Sequence, residues 1–255
     1  MQNILAIWQR EMKSYFVSPV AYVVLTIFLF LCGLFFFGGL AQLVQISISQ
    51  AQMGGQIPID VPREVTSYLF RTMALILLFL VPMLTMGLFS EEKKRGTIEL
   101  LLTTPVGNSQ ALAGKYLASL TFLVVLFAAS AITILPLFVY SQPDWKPILS
   151  GYFGMFLYGA ALLALGLFIS TLTENQIIAV FITFGVSLVL WVIALAGEWA
   201  VGSARSIIEY LSVIGHLDDF IKGVIDTSHI IYYVTFAFVG LFLAYRSLES
   251  MRWKG

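Results

Sequence analysis

Six stretches without a single Asp, Glu, Lys or Arg divide this chain: Ser14–Ile59, Thr72–Ser90, Tyr116–Pro143, Pro147–Thr173, Asn175–Gly197 and Thr227–Tyr245. Each holds roughly the 20 apolar residues that one helix needs to cross a bilayer. Lipid offers no partner to backbone N–H and C=O groups, so these runs must close their hydrogen bonds internally as helices. The expectation is an all-α membrane protein with six transmembrane helices. Composition agrees: 59% of the 255 residues are hydrophobic and only 11% are charged, against about 25% charged in soluble domains. The first run is too long for one span. Its second half, QLVQISISQAQMGGQ, is polar, so the reading places the first helix at Pro19–Ala41 and an exposed loop after it.

Formal net charge is zero, so it is the distribution of charge that informs. With both termini in the cytoplasm, the inner segments hold nine Lys and Arg (Arg10, Lys13, Lys93, Lys94, Arg95, Lys115, Arg246, Arg252, Lys254) and the outer ones five (Arg63, Arg71, Lys146, Arg205, Lys222). This asymmetry selects that orientation. The first apolar run starts late and lacks a small-residue cleavage site, so it reads as a span and not as a cleavable leader. Cys32 lies within it as a small hydrophobe with no intrachain partner.

Residues 1–18 precede the first span as an interfacial helix. Ile4, Leu5, Trp8, Met12, Tyr15 and Phe16 recur on one side, and Gln2, Gln9, Arg10 and Lys13 on the other. Ser18-Pro19 supplies a cap and a first helical residue for the span that follows. Pro82 and Pro136 fall inside the second and third spans as candidate kinks. Arg71, two turns into the second span, either snorkels to outer headgroups or faces a polar translocation path. In the fourth span Ala160 with Ala164, and Gly166 with Ser170, offer small residues for close helix contact. Thr173-Glu174-Asn175-Gln176 has the form of a capping box that opens the fifth span. Residues 198–226 read as one or two amphipathic helices at the outer surface, carrying Ile207, Ile208, Leu211, Ile214, Leu217, Phe220, Ile221, Val224 and Ile225. His216 reads there as a surface or packing residue. His229 and several aspartates lie near it in sequence, but no tight ligand spacing marks a metal site.

Catalytic and nucleotide motifs are absent from the sequence. No stretch fits G-x-x-x-x-G-K-[ST]; Gly114-Lys115-Tyr116 lacks both the upstream glycine and the following hydroxyl. H-E-x-x-H and G-x-S-x-G are missing too, as is a row of intramembrane acids for proton relay. The reading is therefore a non-enzymatic, channel-forming subunit driven by something else.

The densest charge cluster is EEKKRGTIELLLTTPVGNSQALAGK, from Glu91 to Lys115, between the second and third spans. Gly96 can end the second helix and Thr97 can cap a new one. Ile98, Leu100, Leu101 and Leu102 form a short apolar block that stops before Pro105, and Asn108 or Ser109 can cap the third span. The docking piece narrows to Thr97–Thr104. On residues alone it is either a helix that docks into a soluble partner or a solvated turn with its leucines on the bilayer.

EEKKRGTIELLLTTPVGNSQALAGKYLA resembles the segment after the second span of ABC-2-type transporter permeases: an acidic and basic run, Gly-Thr, an acid, leucines, then Thr-Pro. REMKSYFVSPVAYVV resembles the entry to the first span in the branch of gliding-motility-associated and NosY-like permeases. TENQIIA resembles the fifth-span entry, and HLDDFIKGVIDTSHIIYY the approach to the last span. Ser212-Val213 departs from the Ser-Pro of that branch. The resemblance spans essentially residues 1–255 as a single transmembrane domain. It implies a permease subunit of an ATP-driven transporter, most readily an exporter in the inner (cytoplasmic) membrane. It implies a second permease chain, identical or related, and separate ATPase subunits that carry the ATP and Mg; this chain itself binds no cofactor. The 91–110 loop becomes the coupling element, with Glu91, Glu92, Lys93, Lys94, Arg95, Gly96, Thr97 and Glu99 as ATPase-coupling residues, assisted by Arg10 and Lys13 of the interfacial helix, whose site residues also include Trp8. Membrane lipid and an extracytoplasmic accessory protein are further partners it allows; nucleic acid is not among them. The alternative is a membrane scaffold for an envelope or gliding machinery with no transported solute.

Overall fold

A computed structural model of the protein describes residues 2–52, 60–97, 107–199, 208 and 210–252. Among them are nine helices and no strand: α1 (Gln2–Val17), α2 (Pro19–Gln52), α3 (Val61–Thr85), α4 (Ser90–Lys94), α5 (Asn108–Tyr140), α6 (Trp145–Leu172), α7 (Gln176–Trp199), α8 (Leu217–Ile221) and α9 (Thr227–Arg252). Six are long and apolar enough to cross a membrane: α2, α3 (continuing to Lys94), α5, α6, α7 and α9. The all-α architecture and the six spans match the expectation from charge-free gaps.

The first span differs from expectation. No loop follows Ala41; α2 continues to Gln52 for 34 residues, or about 51 Å at 1.5 Å per residue. Polarity alone does not end a helix. Residues 42–52 contain no Pro or Gly, and Ser47 and Ser49 fold their hydroxyls back onto the carbonyls of Leu43 and Ile46. These bonds take the side chains out of competition for the backbone.

Two predicted caps also move. Asn175, not Thr173, opens α7: its carbonyl accepts from Ala179 N and its side-chain oxygen from Ile177 N. Thr173 instead turns its hydroxyl to Asn175 N. At α5 the cap is Gly107, whose carbonyl accepts from Gln110 N and Ala111 N; Asn108 and Ser109 are already helical. The apolar block of the 91–110 loop, Glu99 included, lies outside the described residues, as do 200–207 and 209 of the expected outer helices.

α6 is the hub, and its glycines make it one. A Cβ at Gly151 would come within 3.0 Å of the Phe70 ring, at Gly154 of Phe220, at Gly159 of Leu123 and at Gly166 of Thr85. The bare backbone thus admits α3 twice, α8 once and α5 once. In lipid, where tails are as apolar as leucine, close van der Waals packing of this kind is a main force holding helices together. Ala164 plays the same part toward Gly240 of α9, as the small-residue spacing predicted. Within their most apolar stretches, 72% of the residues of α6 and 67% of those of α3 are buried, against 17% for α7 and 22% for α2. The core is Phe70, Leu77, Phe122, Leu126, Tyr158 and their neighbours, with Cys32 fully buried in it. A smaller cluster of Leu88, Phe89, Leu112, Leu167, Ala244 and Leu248 closes one end. That end also carries α1 and α4, and is here called the basic end.

α8 is short, but it enters the bundle instead of lying on it. Leu217, Phe220 and Ile221 are buried, whereas Leu211, Val224 and Ile225 remain exposed. Gly223, with φ of 89°, lets the chain turn out again toward α9.

Candidate functional site

At the basic end the chain leaves α3 through a turn at residues 86–89 and re-forms as α4. Five residues supply no side-chain cap of their own at Phe89. The cap comes from another helix: Ser170 Oγ of α6 accepts from Phe89 N at 3.0 Å and from Ser90 N at 3.1 Å, and donates to Met86 O at 3.2 Å. Gly166 and Ser170, read from sequence as packing residues, therefore seat the end of α3 and the start of α4. Gly96 ends α4 with φ of 69°, a conformation that favours glycine. Thr97 Oγ1 then bonds back to Glu92 O at 3.2 Å.

The charges of this turn face two ways. Lys94, Arg95, Gly96 and Thr97 are exposed. Arg95 pairs with Glu91 one turn earlier. Glu92 and Lys93 point back into the bundle, Lys93 to the carbonyl of Thr171 at the end of α6. Glu92 Oε1 meets Lys115 Nζ of α5 at 2.9 Å and Arg10 Nη2 of α1 at 3.0 Å. Glu11, beside Arg10 on α1, completes the set: its Oε1 lies 2.8 Å from Arg10 Nη2 and 3.1 Å from Lys115 Nζ. Two cations and two carboxylates thus join α1, α4 and α5. Lys115 is 2% exposed, and its ammonium also stands 5.1 Å from the centre of the Phe89 ring, within the range of a cation–π contact.

Electrostatics follow from that burial. Desolvation presses the Glu11 carboxyl upward, but Lys115 and Arg10 more than offset it, so Glu11 titrates below the ordinary carboxylate range. The hydrogen bond to Glu11, with the charge of Glu92 behind it, holds Arg10 above its ordinary value. Glu92 Oε2 is buried with no hydrogen-bond partner among the described residues. The network is an ionic joint in a low-dielectric setting, where each charge depends on its counterion.

α1 is held to α5 along its length. Ile7 packs against Gly114, where a Cβ would come within 3.0 Å of it. Trp8 Nε1 donates to Thr121 Oγ1 at 3.0 Å. Tyr15 lies 3.3 Å from Ser119 Oγ and packs on Phe122. The expected interfacial helix is therefore also a packed one. Leu5, assigned to its apolar side, is exposed, and Lys13 faces out.

Sequence reasoning missed Glu11 and Lys115 as site residues. Both leave a signal. Glu11 is an acid on the apolar face of α1, between Trp8 and Tyr15. Lys115 is the one cation inside the third apolar helix, two turns past its start.

Arg71, the candidate for a translocation path, pairs with Asp218 Oδ1 at 3.0 Å on the opposite end and ties α3 to α8. His216, read as a surface or packing residue, is buried and in contact with His229. Among the described residues no three His, Cys, Asp or Glu side chains gather as a metal would require.

The probable multidrug ABC transporter permease YbhR of Escherichia coli K12 is 31% identical over 87 residues, 34% of this chain. Its counterpart in E. coli O157:H7 matches equally. The match spans 23% of those relatives' length. The ABC-2 family transporter protein family matches residues 5–245, nearly the whole chain, from the first turn of α1 through the ionic joint and into the last span. This multi-pass membrane protein belongs to the ABC-2 transporter family.

Proposed function

We propose that the chain is the permease subunit of an ATP-driven exporter in the cytoplasmic membrane, with both termini inside. A second permease chain stands beside it, and separate ATPase subunits dock at the basic end. ATP and Mg reside on those subunits. The observation that carries this reading is the 91–97 turn, held at the junction of α1, α4 and α5 with its outer face left free. A soluble motor gripping Lys94, Arg95 and Thr97 would move α1 and the inner halves of α3 and α5 together, because Glu92 and Lys115 lock them. The excess of Lys and Arg at this end supports its cytoplasmic placement. Likeness to a probable multidrug permease makes an apolar small molecule the first cargo to try.

The outward and inward charges have different roles in this reading. Lys94→Ala with Arg95→Ala should leave the chain folded and inserted while its partner ATPase loses stimulation by the permease. Copurification of the ATPase and its hydrolysis rate in reconstituted vesicles measure this. Unchanged coupled turnover in the double variant overturns the docking assignment.

A further inference from the structure

The opposite end holds a hydrogen-bonded chain that two neutral histidines cannot satisfy. His216 Nε2 lies 3.0 Å from the carbonyl of Tyr210. His229 Nε2 lies 2.9 Å from Asp219 Oδ2. The two Nδ1 atoms face each other at 2.7 Å. A carbonyl and a carboxylate only accept, so both Nε2 atoms must carry hydrogen. Neutral rings of that tautomer would oppose two Nδ1 lone pairs at hydrogen-bond distance. Two imidazolium rings would oppose two N–H groups. One added proton between the Nδ1 atoms satisfies every contact, with Asp219 as counterion.

We propose that His216 and His229 form a binding site for one shared proton that latches the segment 210–221 onto the start of α9. The latch works because its two halves belong to different elements: His216 immediately precedes α8, and His229 lies in the first turn of α9. The His216 ring stacks on Tyr232 with centroids 3.9 Å apart. Tyr232 and Tyr233 of α9 donate to the carbonyls of Leu211 and Val213, so opening the pair strains a seam and not one contact. The charged groups around it are accounted for. On α8, Asp219 also meets Lys222, and Asp218 is engaged by Arg71 of α3. Asp226 caps α9 through Ser228 N. From α6, Tyr158 packs on Tyr233, which in turn lies against the His216 ring. Burial holds His216 below the ordinary histidine value, as expected of a ring that resists a second charge. The 2.7 Å separation suits a proton; a tetrahedral metal with two Nδ1 ligands at about 2.0–2.1 Å would hold them farther apart.

The test uses the full chain in lipid nanodiscs with 15N-labelled histidine. Near pH 6.5, the ordinary histidine value, both Nε2 atoms should carry protons and the two Nδ1 resonances should couple through one hydrogen. The coupling should vanish about two units to either side. Exchange protection of residues 210–221, corrected for intrinsic rates, should peak in the same window, while α3 and α6 stay unchanged. Asp219→Asn keeps an acceptor but removes the counterion, and should abolish the coupling; Asp226→Asn should not. Two rings titrating independently overturn the proposal. So does one Zn2+ per chain, bound on addition of the metal alone, in a protein that shows no coupling when metal-free.

Discussion

Two peripheral segments are fastened to the same body by different chemistry. At the basic end α1 is held by four full charges, Arg10, Glu11, Glu92 and Lys115, with the cation at the centre buried. At the opposite end α8 is held by Phe220 against Gly154, by a histidine pair and by an exposed ion pair, Arg71–Asp218. In the first joint Glu11 is held below the ordinary carboxylate range and Arg10 above its ordinary value. The second is built around two imidazoles, and burial lowers that of His216. The contrast is between a joint of permanent ion pairs and a clasp whose central contact, His216 to His229, holds one proton between two rings.

Removing the buried cation should have the largest effect. Lys115→Met leaves Glu11 and Glu92 facing each other with only the exposed Arg10, a loss of about 3–5 kcal/mol by the usual size for an orphaned buried charge. Unfolding of the chain in micelles measures it, and adding Glu11→Gln and Glu92→Gln should restore much of the loss. A cost under about 1 kcal/mol for the single variant would demote the joint to a surface ion pair.

Next comes steric release of the opposite end. Gly154→Ala puts a methyl against Phe220 and should cost about 1–3 kcal/mol, as overpacking does. Hydrogen exchange should speed up at residues 217–221 and not at α1. Uniform loosening at both ends would show that the two clasps are not independent.

Acidification should sharpen the difference. His216 has a folded value below its unfolded one, so the unfolded chain binds more protons and stability falls as pH drops below about 6.5. Glu11 is also depressed, but its contribution is present above the carboxylate range and lost only as pH falls below about 4.3. Between these limits the opposite end should open while the basic end holds, which limited proteolysis of each end can read. The smallest effect belongs to Arg71→Gln. Its ion pair is largely exposed, so the change in unfolding free energy should stay within about 1 kcal/mol.

Which parts were legible in the sequence follows from the range of the forces involved. Six spans could be read because each is set by its own composition against lipid. Ala160, Ala164, Gly166 and Ser170 of α6 were legible as packing residues, but not their partners, and Gly151, Gly154 and Gly159, which receive Phe70, Phe220 and Leu123, were not singled out at all. The length of α2 was misjudged because polar residues without Pro or Gly lower the preference for lipid and leave the helix intact. Charges at 91–97 could be seen as a cluster, but not divided into Glu92 and Lys93 facing in and Lys94 and Arg95 facing out.

By itself the sequence determined that this chain is a six-helix membrane protein with a charged turn after its second span, because hydropathy and helix periodicity are local. Tertiary structure alone decided that Lys115 meets Glu11, 104 residues away, and that His216 meets His229. Helical spacing tells which face a side chain occupies. Only the crossing of α1 over α5, and the entry of α8 beside α9, decides what stands opposite that face.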